Sequence, residues 1–215
     1  MTKNDLAKEI LEPLLQSICF IINDYQVRIN FGYKNNNIDF SIRNFFNCVG
    51  TFMSSMFQLG WFEYVVQVIK NIIPVIHMLV DHFYDMPLIY MGCVDFMTNL
   101  FCVLKYADTK NPDMVSMLSE VILEFVPSSF NIVFNQQIEF LDDVWRNLMR
   151  SLFSFHSKVA NRFGIENIDQ ALSKFGAPPE FSQSYLSITK ESGNVKESFG
   201  LFFNQLWLFF KGLEI

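Results

Sequence analysis

Two long apolar runs, joined by a short acidic connection, lie near the middle of this 215-residue chain and constrain its fold more than any other feature. The first run begins at Trp61 and the second ends at Leu104. The connection DHFYDMP between them predicts a helical hairpin over residues 61–104. Lys70 and Asp95 lie near the middles of the two runs, so each helix carries a narrow polar stripe. Such helices are buried in protein, or in protein and lipid together.

The composition leaves few charges to cover the outside of the molecule. Hydrophobic residues make up 51% of the chain and charged residues 18%, whereas about 25% charged residues is ordinary. A chain of this length can bury a sizeable core, and we expect one domain over residues 1–215. The excess of apolar surface either packs very completely inside the chain or meets a partner or a bilayer.

Helical periodicity recurs along the rest of the chain, and no segment has a convincing strand pattern. The clearest case is residues 136–163, where apolar residues follow the a/d repeat of two packed helices. We therefore predict an all-α domain of about seven to nine helices, either a multi-helix bundle or a short helical array. The hairpin over residues 61–104 is expected at its centre, with the helix over residues 136–163 packed along it.

Glycine, proline and asparagine predict several helix ends. Gly60 and Gly164 are expected to stop the helices that precede them. Asn111 followed by Pro112 is typical of an N-cap and a first helical turn. Pro127 is expected to end the helix that starts there.

The sequence contains none of the motifs that would identify an enzyme or a nucleotide-binding site. The phosphate-binding loops, the hydrolase elbow, the zinc helix and the paired E-x-x-H of di-iron bundles are absent from it. The 16 Lys and Arg residues are scattered and the net charge is −6, which argues against a nucleic-acid partner. We predict no cofactor. Catalysis stays open, because sites assembled from distant residues leave no motif.

A few individual residues invite a chemical reading. His77, Asp81 and Asp85 are four residues apart and could face a metal ion, but we prefer a solvated hairpin tip, because Pro87 places Asp85 at a helix end. His156 is expected at the surface or at a helix end.

The four cysteines, Cys19, Cys48, Cys93 and Cys102, lie inside apolar helical patterns and are interpreted as reduced core thiols. The N-terminus lacks the features of a secretory or transit peptide, and the sequence has no Asn-x-Ser/Thr sequon. We therefore expect an intracellular protein, with membrane association as the alternative.

The segment from Phe199 to Phe210 is the strongest candidate for a partner contact. As a helix it would be aromatic around most of its circumference, whereas one helix packed on a bundle hides a stripe about 100° wide. The predicted partner-binding residues are Phe202, Phe203, Leu206, Trp207 and Phe210.

Three function classes follow from these observations. The first is a helical interaction or structural subunit that contacts partner proteins or a second copy of itself. The second is a membrane-embedded or membrane-surface protein. The third is a hydrophobic-ligand carrier or an enzyme with a site inside the bundle. The apolar excess favours the first two classes over the third.

Overall fold

The secondary structure of the chain is helical wherever the computed structural model describes it, which confirms the predicted all-α class. The described residues are 36–82, 86–108, 111–134 and 143–190, together with scattered positions between 5 and 24. Seven helices lie in the four continuous ranges. They are α1 (Asn36–Gln58), α2 (Phe62–His82), α3 (Pro87–Ala107), α4 (Pro112–Phe134), α5 (Asp143–Phe163), α6 (Glu166–Lys174) and α7 (Pro179–Lys190).

The helix ends follow the local sequence at most of the predicted positions. Gly60 and Gly164 follow α1 and α5 with φ angles of 76° and 98°, a left-handed conformation that glycine adopts without steric cost. The Asn111 side-chain oxygen accepts a hydrogen bond of 3.1 Å from the Met114 amide, which confirms the predicted N-cap of α4.

The predicted helix end at Pro127 is wrong, because α4 continues through this residue to Phe134. An interior proline removes one backbone hydrogen bond and costs roughly 3 kcal/mol. Buried side chains on both sides of it, Phe125 and Val126 before and Phe130 and Ile132 after, stabilise the continuous helix. Each such side chain contributes about 1.5–3 kcal/mol when fully buried, so together they outweigh the cost of the proline.

The seven helices pack in two layers. Helices α1, α3, α5 and α7 are neighbours in the first layer, and α2, α4 and α6 are neighbours in the second. The described helices pack mainly against helices one or two places away along the chain, although Phe130 of α4 also contacts Tyr185 of α7. Stacked helical repeats have this contact pattern, whereas a closed bundle also brings sequence-distant helices together. The packing of the described helices fits a short helical array, one of the two predicted architectures.

Helices α1 and α3 of the first layer run parallel, and two glycines let them approach closely. Arg43 lies against Asp95 and Phe46 lies against Phe96, so both helices advance in the same direction. A methyl group added to Gly92 would lie 2.9 Å from the Arg43 Cα, and one added to Gly50 would lie 2.6 Å from the Asn99 side-chain nitrogen. Because these two glycines have no side chain, the two backbones can approach closely over two helical turns.

The centre of the array is α3, the second helix of the predicted hairpin. It packs most extensively against α1 and α5 and next against α4, whereas its contact with α2 is the smallest between packed helices. The helix predicted over residues 136–163 is described from Asp143 onward and packs along α3 as expected. Five positions of its apolar repeat, Trp145, Leu148, Leu152, Phe155 and Val159, are buried.

Candidate functional site

The predicted partner-binding residues Phe202, Phe203, Leu206, Trp207 and Phe210 lie outside the described residues. The structure of the described helices instead places two groups of polar side chains in contact. One group lies between the helices of the first layer, and the other is buried where α4, α5 and α7 meet.

The first group joins α1, α3 and α5 through the carboxylate of Asp95. The guanidinium of Arg43 lies 3.7 Å from one Asp95 oxygen, and the Ser151 hydroxyl donates a hydrogen bond of 3.2 Å to the other. The Arg43 and Asp95 side chains are 29% and 27% exposed, so the pair is only partly open to solvent. At the other end of the α3–α5 contact, Arg162 forms an ion pair with Asp108.

The electrostatics of this group reflect partial burial. Burial raises the pKa of the Asp95 carboxyl above its ordinary value, against the opposing effects of Arg43 and Ser151. The Arg43 Nε atom is buried without a hydrogen-bond partner among the described residues. The Asp95 carboxylate interacts with both Arg43 and Ser151, so this group links three helices.

The second group is a chain of hydrogen bonds centred on His156. The Ser129 hydroxyl lies 2.6 Å from the His156 Nε2 atom and 2.6 Å from the Val126 carbonyl oxygen. On the other side of the ring, the Tyr185 hydroxyl contacts the Nδ1 atom. The ring of Phe130 stacks on the imidazole with centroids 4.3 Å apart. The imidazole ring therefore has a stacking partner on its plane and a hydrogen-bond partner at each nitrogen. The side chains in this group come from three helices.

The predicted surface position of His156 is wrong, because the residue is completely buried. Burial lowers the pKa of its imidazole to about 3 and raises the pKa of the Tyr185 hydroxyl well above its ordinary value. Ser129 is also completely buried, and Tyr185 is 2% exposed. A serine and a histidine within hydrogen-bond distance resemble a hydrolase pair, but a substrate could not reach this one without displacing a helix.

The burial of His156 had a signal in the sequence. It is four residues after Leu152 and three before Val159, and both are buried, so His156 continues the apolar stripe of α5. The a/d repeat runs through Phe155, and this repeat predicts a surface position for the next residue. The contacts to Ser129 and Tyr185 had no such signal, because they join residues that are 27 and 29 positions apart.

The structure describes two of the three candidate metal ligands. His77 packs edge to face against Phe125, with ring centroids 6.4 Å apart, and Asp81 is exposed. Asp85 lies outside the described residues. The described ranges hold no group of three His, Cys, Asp or Glu side chains placed to bind a metal ion.

The interpretation of the cysteines as core thiols holds for Cys93 alone among the three whose environment is described. Burial raises the pKa of the Cys93 thiol far above its ordinary value. Cys48 and Cys102 are exposed, on α1 and α3, and all three thiols are free. The sequence pattern did not distinguish the exposed cysteines from the buried one. Cys48 and Cys102 lie beside apolar residues in the sequence but point outward from their helices.

Two helices are long and apolar enough to cross a membrane, at Phe62–Asp81 and Pro87–Ala107. The second is the central helix α3, and most of its apolar stretch is buried against protein. The first, α2, is less buried and exposes a stripe that is largely polar, formed by Glu63, Gln67, Lys70, Asn71, Pro74 and Asp81. Length and apolar composition are also typical of core helices, so they do not by themselves distinguish the two environments.

Comparisons with known proteins give no relative from which a function could be transferred. No family model matches the sequence, and neither a curated protein nor a solved structure matches the chain.

Proposed function

We propose that this chain is a non-catalytic helical interaction subunit that buries apolar surface against partner proteins, or against a second copy of itself, in a larger assembly. The observation that carries this proposal is the open, two-layer arrangement of its helices. A stacked array does not close on itself, so its two ends need a covering element.

Helix α1 supplies one apolar surface. Phe45 and Phe52 are seven residues apart and therefore lie on one face of α1, roughly opposite the stripe through Phe46 and Gly50 that contacts α3. Both phenylalanines are only partly buried, and Leu59, just past the helix, is 63% exposed. Apolar side chains at the end of a stack are typical of surfaces that another element covers.

The segment after α7 supplies the proposed partner contact. A helix added to the end of an array packs against the preceding helices on one side, and its other side needs either polar residues or a partner. The residues Phe202, Phe203, Leu206, Trp207 and Phe210 offer aromatic and aliphatic groups instead of polar ones. Aromatic groups are enriched in the cores of protein interfaces, where tryptophan is a frequent hot spot.

A membrane-embedded protein is the second candidate, favoured by the length and apolar composition of α2 and α3. A protein partner explains more of the described surface. Lys70 and Asn71 are exposed at the middle of α2, and a lysine at the centre of a bilayer costs about 2.5–3.5 kcal/mol on insertion scales. The third candidate, a ligand carrier or enzyme, has less support, because the buried histidine and serine are enclosed by packed side chains.

Trp207→Ala in the full-length chain tests the partner contact. We expect weaker self-association in sedimentation equilibrium, or weaker quantitative co-purification of a partner, by about 2 kcal/mol or more, which is a loss of roughly 30-fold. The thermal midpoint of the monomer should hardly change. The matched control is Trp145→Ala, because Trp145 is 3% exposed in the core, and its loss should lower the midpoint.

The opposite pattern contradicts the proposal. If Trp207→Ala lowers the thermal midpoint as much as Trp145→Ala does and leaves association unchanged, the segment after α7 belongs to the intramolecular core.

A further inference from the structure

The hydrogen bonds described around His156 are satisfied by the following arrangement of protons. Ser129 carries a single hydroxyl proton, and the nearby Val126 carbonyl oxygen can only accept it. The Ser129 oxygen must then accept a proton from the His156 Nε2 atom. A neutral imidazole protonated at Nε2 has a lone pair at Nδ1, which accepts the proton of the Tyr185 hydroxyl. In this arrangement the histidine is neutral while α7 is docked.

A second proton on the ring would break this arrangement. Protonation at Nδ1 points a hydrogen at the Tyr185 hydroxyl, which has been donating its own hydrogen to that atom. It also places a positive charge in a completely buried site, where an uncompensated charge is costly.

The groups that face the ring from each neighbouring helix offer this charge no counter-ion. Helix α4 contributes Ser129 and Phe130, and α7 contributes Tyr185, which stacks on Phe181. On α5 itself the neighbouring ring is that of Phe155, and α6 contributes Phe175, which packs on Phe130. Tyr185 is the one titratable group in contact with the imidazole within the described ranges. Desolvation alone lowers the pKa of His156, with no contribution from a charged neighbour.

Helix α7 is the element that this histidine controls. Among the described helices, α7 packs mainly against α5 and α6, and its Tyr185 also contacts Phe130 of α4, so α7 can leave the array while α1 to α4 stay packed on one another. The loss of α7 removes Tyr185 from the Nδ1 atom and opens the ring to solvent. An exposed histidine has an ordinary pKa of about 6.5.

We propose that His156 is an acid-sensitive lock that holds α7 on the array, so that acidification releases α7 and uncovers the aromatic surface around His156. The direction follows from proton linkage. The undocked state binds a proton on His156 below about pH 6.5, whereas the docked state stays neutral until about pH 3. Between these values the undocked state holds more protons, so each pH unit of acidification shifts the equilibrium up to about tenfold toward release.

Hydrogen exchange of the full-length protein between pH 7.5 and 5.0, measured by mass spectrometry, tests this lock. Protection factors, corrected for the intrinsic pH dependence of exchange, are compared for residues 179–190 and for residues 87–107 of the central helix. We expect the protection of residues 179–190 to fall by up to about 30-fold between pH 7.5 and 5.0, while residues 87–107 keep theirs. In His156→Gln, which retains a donor and an acceptor but cannot titrate, the protection of α7 should not depend on pH over this interval.

Three outcomes would overturn the proposal: unchanged α7 protection down to pH 5.0 in the natural sequence, an equal loss in His156→Gln, or a parallel loss over residues 87–107. If His156→Gln does not fold, an NMR titration of the three histidines in the natural sequence decides the matter. The lock is supported if His156 titrates only over the pH range in which α7 loses its protection. Titration near pH 6.5 with α7 still protected refutes it.

Discussion

Alanine at Gly92 tests the close packing of α1 and α3 that the glycines permit. The added methyl group would lie 2.9 Å from the Arg43 Cα, whereas ordinary contact begins at 3.4 Å, so the two helices must separate by about 0.5 Å or more. The atom in the way belongs to the backbone of α1, which cannot rotate aside. Overpacking of this kind costs about 1–3 kcal/mol.

The helix propensity of alanine offsets part of that cost. Alanine is favoured over glycine by about 1 kcal/mol in a helix interior, so the net loss of unfolding free energy for Gly92→Ala is about 1 kcal/mol, with an upper limit of about 2 kcal/mol. For a domain of 150–250 residues, each kcal/mol lowers the thermal midpoint by about 2–4 °C. Thermal and urea unfolding followed by circular dichroism at 222 nm measure both quantities.

Gly50→Ala is the matched control on the facing helix. Its nearest obstacle is the side-chain nitrogen of Asn99, 2.6 Å from the added methyl group, and that amide can turn away. The gain in propensity should then cancel most of the cost, and the stability should change by about 0.5 kcal/mol or less. Our description of the α1–α3 contact would be refuted if Gly92→Ala were as stable as the natural sequence, or if both substitutions destabilised the protein equally.

Two further predictions follow from buried groups. Tyr185→Phe should lower the unfolding free energy by about 1–3 kcal/mol, because it leaves the His156 Nδ1 atom buried without its donor. In the same urea titration the exposed-site control Tyr106→Phe should change it by about 0.5 kcal/mol or less, and equal effects would contradict the buried network. In the native protein, iodoacetamide should label the exposed Cys48 and Cys102 and spare the buried Cys93, as read by peptide mass spectrometry. Rapid labelling of Cys93 would contradict its place in the core.

The sequence predicted the helices well, because local spacing and end residues determine them. The apolar repeat of α5 is buried from Trp145 to Val159, and Asn111 caps α4 as its neighbours indicated. Both patterns lie within one or a few helical turns, where the 3.6-residue period and the backbone geometry apply directly. The all-α class followed from the same local rules.

The packing of the helices against one another was less accessible to this reasoning. Apolar stripes say that a helix is covered but not by which helix, so the sequence left a bundle and an array equally open. The continuation of α4 through Pro127 depends on tertiary burial of Phe130, which outweighs a local preference. The contacts of His156 could not be predicted for the same reason, since its partners Ser129 and Tyr185 belong to other helices.

The contacts between neighbouring helices also bear on how the chain folds and how it responds to force. Since the described helices pack mainly on those within two places along the sequence, few long loops must close before favourable contacts form, and low contact order is associated with fast folding. Partly assembled stacks of adjacent helices already contain native interfaces, so folding can start at several points and spread outward. Under mechanical tension, such an array is expected to unfold one helix at a time.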